Sequence, residues 1–260
     1  MTLLAIDVGN THTTAAVYQG ADLLHDWRVS TVRGATADEL AVQHEGILNL
    51  RGGSLTALDG MVVASVVPTL TSGYQELAAR YLDRPALVLG PGVRTGMPID
   101  IDNPHELGAD RIANAVAAYQ RYGGPCLVVD FGTATNFDAV SAEGSYVGGA
   151  IAPGVEISAS ALTDRAARLV KVDLVPPARA IGKSTVECLQ SGIVFGTVAM
   201  VDGMVVRLRA ELGGDAIVIA TGGLAGLIGQ FSAEIDEHDP LLTLEGLRLV
   251  HELNARSARA

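Results

Sequence analysis

Two short strings hold the residues best suited to chemistry. Asp7 to Thr14 reads DVGNTHTT and Asp130 to Thr135 reads DFGTAT; each follows an apolar run and turns on glycine two residues after an aspartate. Gly9 and Gly132 allow a backbone to approach a ligand closely, and Asn10, Thr11, Thr13, Thr133 and Thr135 add small polar groups beside it. Small donors on a glycine turn suit a phosphate. Asp7 and Asp130 would repel that phosphate directly, but each can hold a cation that neutralises it. A lone Asp-x-Gly turn after a strand is an ordinary structural device; two of them favour phosphate plus cation. A third segment, ELGADR at 106 to 111, combines Gly108 and Ala109, small enough to leave room at a helix end, with Asp110 and Arg111. Phosphoryl transfer to an alcohol needs a carboxylate near the hydroxyl and positive charge near the phosphate, roles open to Asp110 and Arg111 respectively. A solvated pair of neighbouring charges is the plainer alternative.

Other motifs fail on spacing. GKST at 182 to 185 resembles the end of a P-loop, but Pro177 stands where that loop needs its first glycine. GPGVRTG at 90 to 96 has the wrong glycine intervals for a dinucleotide turn, and Pro98 follows it. ATGGLAG at 220 to 226 follows an apolar run and can pass beneath an adenine or ribose, a weak signal by itself. The six histidines form no ligand spacing, so no structural zinc is expected. Cys126 and Cys188 are far apart, and Cys126 lies in CLVVD as a reduced core thiol would.

The elements that must position these residues alternate. Strand-like runs occur at LLAIDV, MVVASVVP, ALVLG, CLVVDF and AIVIAT. Between them, TADE at 36 to 39 and STVE at 184 to 187 have the form of capping boxes, the second opening a long amphipathic segment to about Leu212. NPHELGADRIANAVAAYQRYGG predicts a helix from Asn103 and Pro104 to Gly123. Strands alternating with helices make an α/β protein. Aligned on their aspartates, residues 7–17 and 130–140 share Asp, Gly, Ala and Val, which predicts two lobes of related design, 1–118 and 119–260, with a cleft between them.

At 260 residues two lobes are the expected size division, and a net charge of −11 argues against nucleic acid or an anionic membrane as partner. Only two of the 18 basic residues are lysines, Lys171 and Lys183, so a phosphate site must lean on backbone N–H groups, metal ions and arginine. Asp7 interrupts the first apolar run too early for a signal peptide, and no apolar stretch is read as long enough to span a membrane. The expectation is a soluble, cytoplasmic protein.

In their order along the chain, DVGNT, SVVP at 65 to 68, DNPHELGADR at 102 to 111, DFGTAT, GGAIAPG at 148 to 154, GKST and ATGG resemble the type III pantothenate kinases of the acetate kinase, sugar kinase, heat-shock chaperone and actin superfamily. The resemblance implies an actin-like, ribonuclease H-like ATPase fold with mixed sheets and nucleotide in the cleft between lobes. It implies ATP-dependent phosphorylation of pantothenate to 4′-phosphopantothenate, the first step of coenzyme A synthesis, in a homodimer. Carried over by position, Asp7, Val8, Gly9, Asn10, Thr11, His12, Thr13 and Thr14 form the first phosphate loop, with Thr133 a further ATP contact. Asp110 matches the catalytic base, Gly108, Ala109, Asp110 and Arg111 the pantothenate-contacting segment, and Thr185 another substrate contact. Asp130 matches the ligand of a monovalent cation, K+ or NH4+, while Mg2+ accompanies ATP. One departure stands in the pocket: Ile101 occupies a position where the family commonly has tyrosine, which removes a hydroxyl and keeps apolar bulk. A kinase of the superfamily for another small alcohol and a non-catalytic ATP-binding regulator are the competing readings.

Overall fold

Leu3, Leu4, Ala5 and Ile6 are all buried, the mark of a strand covered on both faces, and they form the centre of β1 (Thr2–Val8). In the computed structural model, which describes residues 1–166 and 170–257, β1 turns back into β2 (His12–Gln19), and β3 (Asp22–Ser30) follows, all antiparallel. After α1 (Ala37–Leu50) the chain returns as β4 (Gly60–Ser65), parallel to β1; α2 (Pro68–Leu77) leads to the two-residue β5 (Leu87–Val88). The sheet order is β3-β2-β1-β4-β5. Helix α3 (Ala109–Tyr122) precedes a second sheet with the same plan. Its strands are β6 (Cys126–Phe131), β7 (Ala134–Val140), β8 (Tyr146–Pro153), β9 (Ile217–Thr221) and β10 (Glu237–His238), in the order β10-β9-β6-β7-β8. Helices α4 (Val155–Arg165) and α5 (Thr185–Glu211) lie between β8 and β9, α6 (Ala225–Gly229) between β9 and β10, and α7 (Leu242–Ser257) ends the chain.

The fold is therefore α/β, two mixed sheets of matching topology with helices, as the sequence predicts. The repeat is real but its register is not that of the ungapped strings. Asp7 pairs with Thr14 across the first hairpin and Asp130 with Asn136 across the second, which is one residue tighter. The shared Asp and Gly are structurally equivalent, whereas Ala16 and Val17 fall one place out of step with Ala139 and Val140.

Several boundaries differ from the sequence reading. MVVASVVP is not one strand, because Pro68 has no N–H for a sheet ladder and instead opens α2. The helix expected from Asn103 starts at Ala109, after a 3-10 turn at Pro104–Glu106 and an extended Leu107 with ψ of 123°. The sequence pattern predicts no strand at β2, β3, β7 or β8, whose polar and small residues conceal the two-residue period. Thr36 and Glu39 form the reciprocal capping box at α1; at α5, Ser184 caps Glu187 N but the Glu187 carboxylate bonds Lys183 N.

Contacts divide the chain into two compact units: Met1–Gly96 with Asn103–Ala117 and the segment from Leu242, and Met97–Asp102 with Ala118–Leu241. A split at 118/119 thus differs from this division in the placement of α7 and of residues 97–102. The reason for α7 is burial: Leu244, Leu247 and Val250 are buried, Arg248 lies 5.8 Å from the centre of the Tyr18 ring, and the absent side chain of Gly246 lets the helix meet the Ala113 carbonyl. Helix α5, contrary to the expectation that no stretch is long enough, reaches membrane-spanning length and apolarity. Its Val194, Val198, Val201 and Val205 are nevertheless buried in the core of the second unit, and Asp202 near its middle is fixed by Ser232.

Candidate active site

The first glycine hairpin is narrower than the string DVGNTHTT suggests. β2 already begins at His12, so the loop is Gly9, Asn10 and Thr11, closed by a hydrogen bond from Gly9 N to His12 O of 3.0 Å. A Cβ on Gly9 would lie 2.9 Å from that same carbonyl, which explains why the turn requires glycine. Asn10 and Thr11 are exposed; Asp7 and Thr14, paired in the sheet just below, are half-buried, and Val8 is fully buried. The chain after β3 braces the loop: Thr31 N donates to Thr11 O at 2.9 Å and Thr31 Oγ1 donates to Gly9 O at 2.8 Å. Arg33 reaches Asn10 Oδ1 at 3.0 Å, and Arg28 donates to His12 Nδ1 at 2.6 Å. The sequence pattern does not point to Arg28 of β3 or to Thr31 and Arg33 just after it, because only the pairing of β3 with β2 brings them to the loop. The Thr13 hydroxyl points inside, 2% exposed and 3.0 Å from Thr31 Oγ1, so any part Thr13 plays toward a ligand falls to its backbone.

The second hairpin repeats this construction in the other unit. Gly132 N donates to Ala134 O at 3.0 Å, Gly132 and Thr133 are exposed, and Asp130 is half-buried at the end of β6 beside Thr221 of β9. Two further glycines make room. The Asp130 carboxylate oxygen occupies the space a side chain at Gly222 would need, with φ of +88° there, so the ATGG turn packs on Asp130. Gly154, at the N-terminus of α4 and the last residue of GGAIAPG, similarly accommodates the Thr133 carbonyl. Thr135 is fully buried with its hydroxyl lacking a hydrogen-bond partner.

Asp110 stands in the first turn of α3, where a carboxylate is favoured by the helix dipole. Its Oδ1 accepts from Arg111 N at 2.9 Å, and Gly108 O accepts from Ile112 N at 3.1 Å to begin the helix. The carboxylate can take this position because residue 108 is glycine: a Cβ there would be 2.5 Å from Asp110 Oδ1. Gly108, Ala109, Asp110 and Arg111 are all half-buried, accessible without being loose. Asp110 and the first hairpin belong to the first unit; Ile101, Asp130, Thr133 and Thr185 belong to the second. Ile101 is half-buried with its Cγ2 beside Gly148 of β8. Thr185 is exposed as the first residue of α5, and GKST is the cap of that helix.

No cluster of three or more His, Cys, Asp or Glu able to hold a metal occurs among the described residues. Single half-buried carboxylates at strand ends are compatible with an ion that arrives with a phosphate ligand and keeps much of its own water, as magnesium does. Cys126 is inert: burial pushes its thiol up to about 12.

Residues 3–207 match the family model described as type III pantothenate kinase. Among curated proteins, the chain is 54% identical over 97% of its length to the type III pantothenate kinase of Moorella thermoacetica, covering 99% of that protein. It is 53% identical, over the same shares of the two chains, to that of Frankia alni. A solved structure from Campylobacter jejuni, described as of the Baf family of transcriptional activators, superposes with a TM-score of 0.62 at 18% identity, covering 97% of this chain and 99% of that one. The activator of 2-hydroxyisocaproyl-CoA dehydratase from Clostridium difficile, with bound ADPNP, gives 0.54 at 10% identity over 100% and 98%. These two likenesses establish a shared fold.

Proposed function

Because the chain belongs to the type III pantothenate kinase family, we propose that it transfers the terminal phosphoryl group of ATP to the hydroxyl of pantothenate, forming 4′-phosphopantothenate for coenzyme A synthesis. The observation that carries this reading, beside family membership, is the Asp110 carboxylate held at the start of α3 by a glycine, next to Arg111. Phosphoryl transfer asks the protein chiefly to position groups and to stabilise charge. Asp110 accepts the proton of the attacking hydroxyl, and Arg111 offsets negative charge. Gly108 and Ala109 leave the space in which the alcohol sits, and Ile101 and Thr185 contact the remainder of pantothenate. The exposed N–H groups of the Asn10–Thr11 turn bind phosphate oxygens, with Thr133 on the second hairpin. Magnesium bound with ATP would supply further neutralisation of the phosphates, and Asp7, half-buried near the end of β1, would help to hold it. Asp130 would provide an oxygen to potassium or ammonium.

The enzyme works in the cytoplasm as a homodimer. Support for an association face is the set of exposed apolar side chains on the second unit: Ile151 of β8, Ile157 and Leu162 of α4, Ile181, and Val186 of α5. A coupled assay with ATP, pantothenate, magnesium and potassium tests the activity, with Asp110→Asn as its control. Turnover should fall by about 10²-fold or more in that nearly isosteric variant, with ATP binding kept. No phosphorylation of pantothenate by the wild type, or full activity of the variant, contradicts the proposal.

A further inference from the structure

The polar contacts that brace the first glycine loop converge on one side chain. Thr31 stands just past the end of β3, where its N–H extends the β2–β3 ladder by one bond, to Thr11 O at 2.9 Å. Its hydroxyl serves the first residue of the loop: Thr31 Oγ1 donates to Gly9 O at 2.8 Å and lies 3.0 Å from Thr13 Oγ1. A threonine hydroxyl has one proton, and a carbonyl oxygen only accepts. The Thr31 proton therefore belongs to Gly9 O, and the buried Thr13 donates to Thr31.

Gly9 needs such a tie. Its N–H is held by His12 O at 3.0 Å, and a Cβ would lie 2.9 Å from that same carbonyl, so the turn requires glycine. Glycine is also the residue whose flanking peptides rotate most freely. The peptide between Gly9 and Asn10 is trans and planar, so its oxygen and the Asn10 N–H point to opposite sides. With the oxygen drawn to Thr31, the N–H is presented on the other side, at the exposed Asn10. The same peptide turned over would offer a carbonyl oxygen where a phosphate needs a donor. The Asn10 side chain is held separately: Arg33 donates to Asn10 Oδ1 at 3.0 Å, and Thr69 Oγ1 of α2 donates to Arg33 O at 2.9 Å. Those bonds hold the side chain and leave the peptide plane to Thr31.

We propose that Thr31 is a positioning residue for ATP, its hydroxyl holding the Gly9–Asn10 peptide with the N–H presented to a phosphate oxygen. The inference rests on the reading of the first hairpin as a phosphate loop. Thr31 acts through the loop and not on the reacting atoms, so its signature is a selective loss of nucleotide affinity. Serine can supply the same proton, whereas valine keeps the shape and β-branching of threonine and has no proton to give.

The test is steady-state kinetics on the full-length wild type, Thr31→Val, Thr31→Ser and the loop variant Gly9→Ala, varying ATP and pantothenate separately. Thr31→Val should raise KM for ATP by about fivefold, the size of one lost hydrogen bond, and leave KM for pantothenate within about twofold. Thr31→Ser should stay within about twofold of wild type in both. Equal rises in both constants for Thr31→Val, a Thr31→Ser variant as impaired as Thr31→Val, or no rise in Thr31→Val while Gly9→Ala raises KM for ATP, overturns the inference and leaves the loop assignment intact. If Gly9→Ala itself leaves KM for ATP unchanged, the loop assignment has failed and the inference falls with it. A measurement independent of any variant is the amide spectrum of the nitrogen-15-labelled wild type titrated with magnesium and a non-hydrolysable ATP analogue. The Asn10 N–H signal should move as the analogue saturates the protein; a signal that stays in place overturns the inference.

Discussion

Replacing Gly108 by alanine should disable the enzyme without unfolding it. Gly108 has no left-handed φ, so alanine fits the backbone, and the only close partner of the new Cβ is Asp110 Oδ1 at 2.5 Å. An ordinary contact begins at 3.4 Å, so the carboxylate must retreat by about 1 Å, or rotate and give up its 2.9 Å bond from Arg111 N. A displacement of about 1 Å of a reacting group can cost about 10²-fold in rate, equivalent to about 2.7 kcal/mol of transition-state stabilisation. The assay is kcat at saturating ATP and pantothenate alongside thermal unfolding. A fall of about 10²-fold is expected, with a Tm lowered by only a few degrees, because alanine at the start of a helix costs about 1 kcal/mol. A kcat within threefold of wild type, in a background where Asp110→Asn is strongly impaired, would refute the argument that Gly108 makes room for the catalytic carboxylate.

Activity should rise with potassium or ammonium chloride and be poor in sodium alone, and Asp130→Ala should abolish that activation and raise the requirement for ATP more than that for pantothenate; equal initial rates in sodium and potassium at fixed ionic strength would exclude the monovalent ion. Light scattering at micromolar concentration should give the mass of a dimer, and a monomer mass would remove the association face assigned to β8, α4 and α5. Acid should also find His44. The ring is neutral in the fold, with its pKa pushed down to about 4, and titrates near 6.5 once unfolded, so its contribution is complete above about pH 6.5 and is lost as pH falls toward 4. The loss is on the order of 3 kcal/mol. Urea midpoints measured from pH 7 to pH 4 should fall more steeply for wild type than for His44→Gln, and parallel curves would show that His44 is not buried neutral.

The sequence alone determined which residues bear charge and where glycine interrupts an apolar strand. That was sufficient for Asp7, Asp130 and their turns, since a carboxylate ending a buried run and a glycine two places on are local facts that no tertiary contact changes. It also determined the start of α1, because Thr36 and Glu39 satisfy each other's backbone groups within four residues. The tertiary structure decided what depends on partners distant in sequence. β3 and β8 carry exposed and small residues and exist because β2 and β7 offer them a ladder, so DLLHDWRVS and YVGGAIAP give no strand pattern in isolation. Gly108, Gly154, Gly222 and Gly246 look alike in a string, yet each makes room for a different group, Asp110, Thr133, Asp130 and Ala113, which only the packing identifies. His44 is the clearest case: among six unremarkable histidines, it becomes a buried bridge between two elements because Trp27 from β3 and Tyr74 from α2 arrive at opposite ring nitrogens. A hydrogen bond between residues 17 or 30 positions apart leaves no periodicity in the chain, and burial, which fixes the ring as neutral, exists only after the elements have packed.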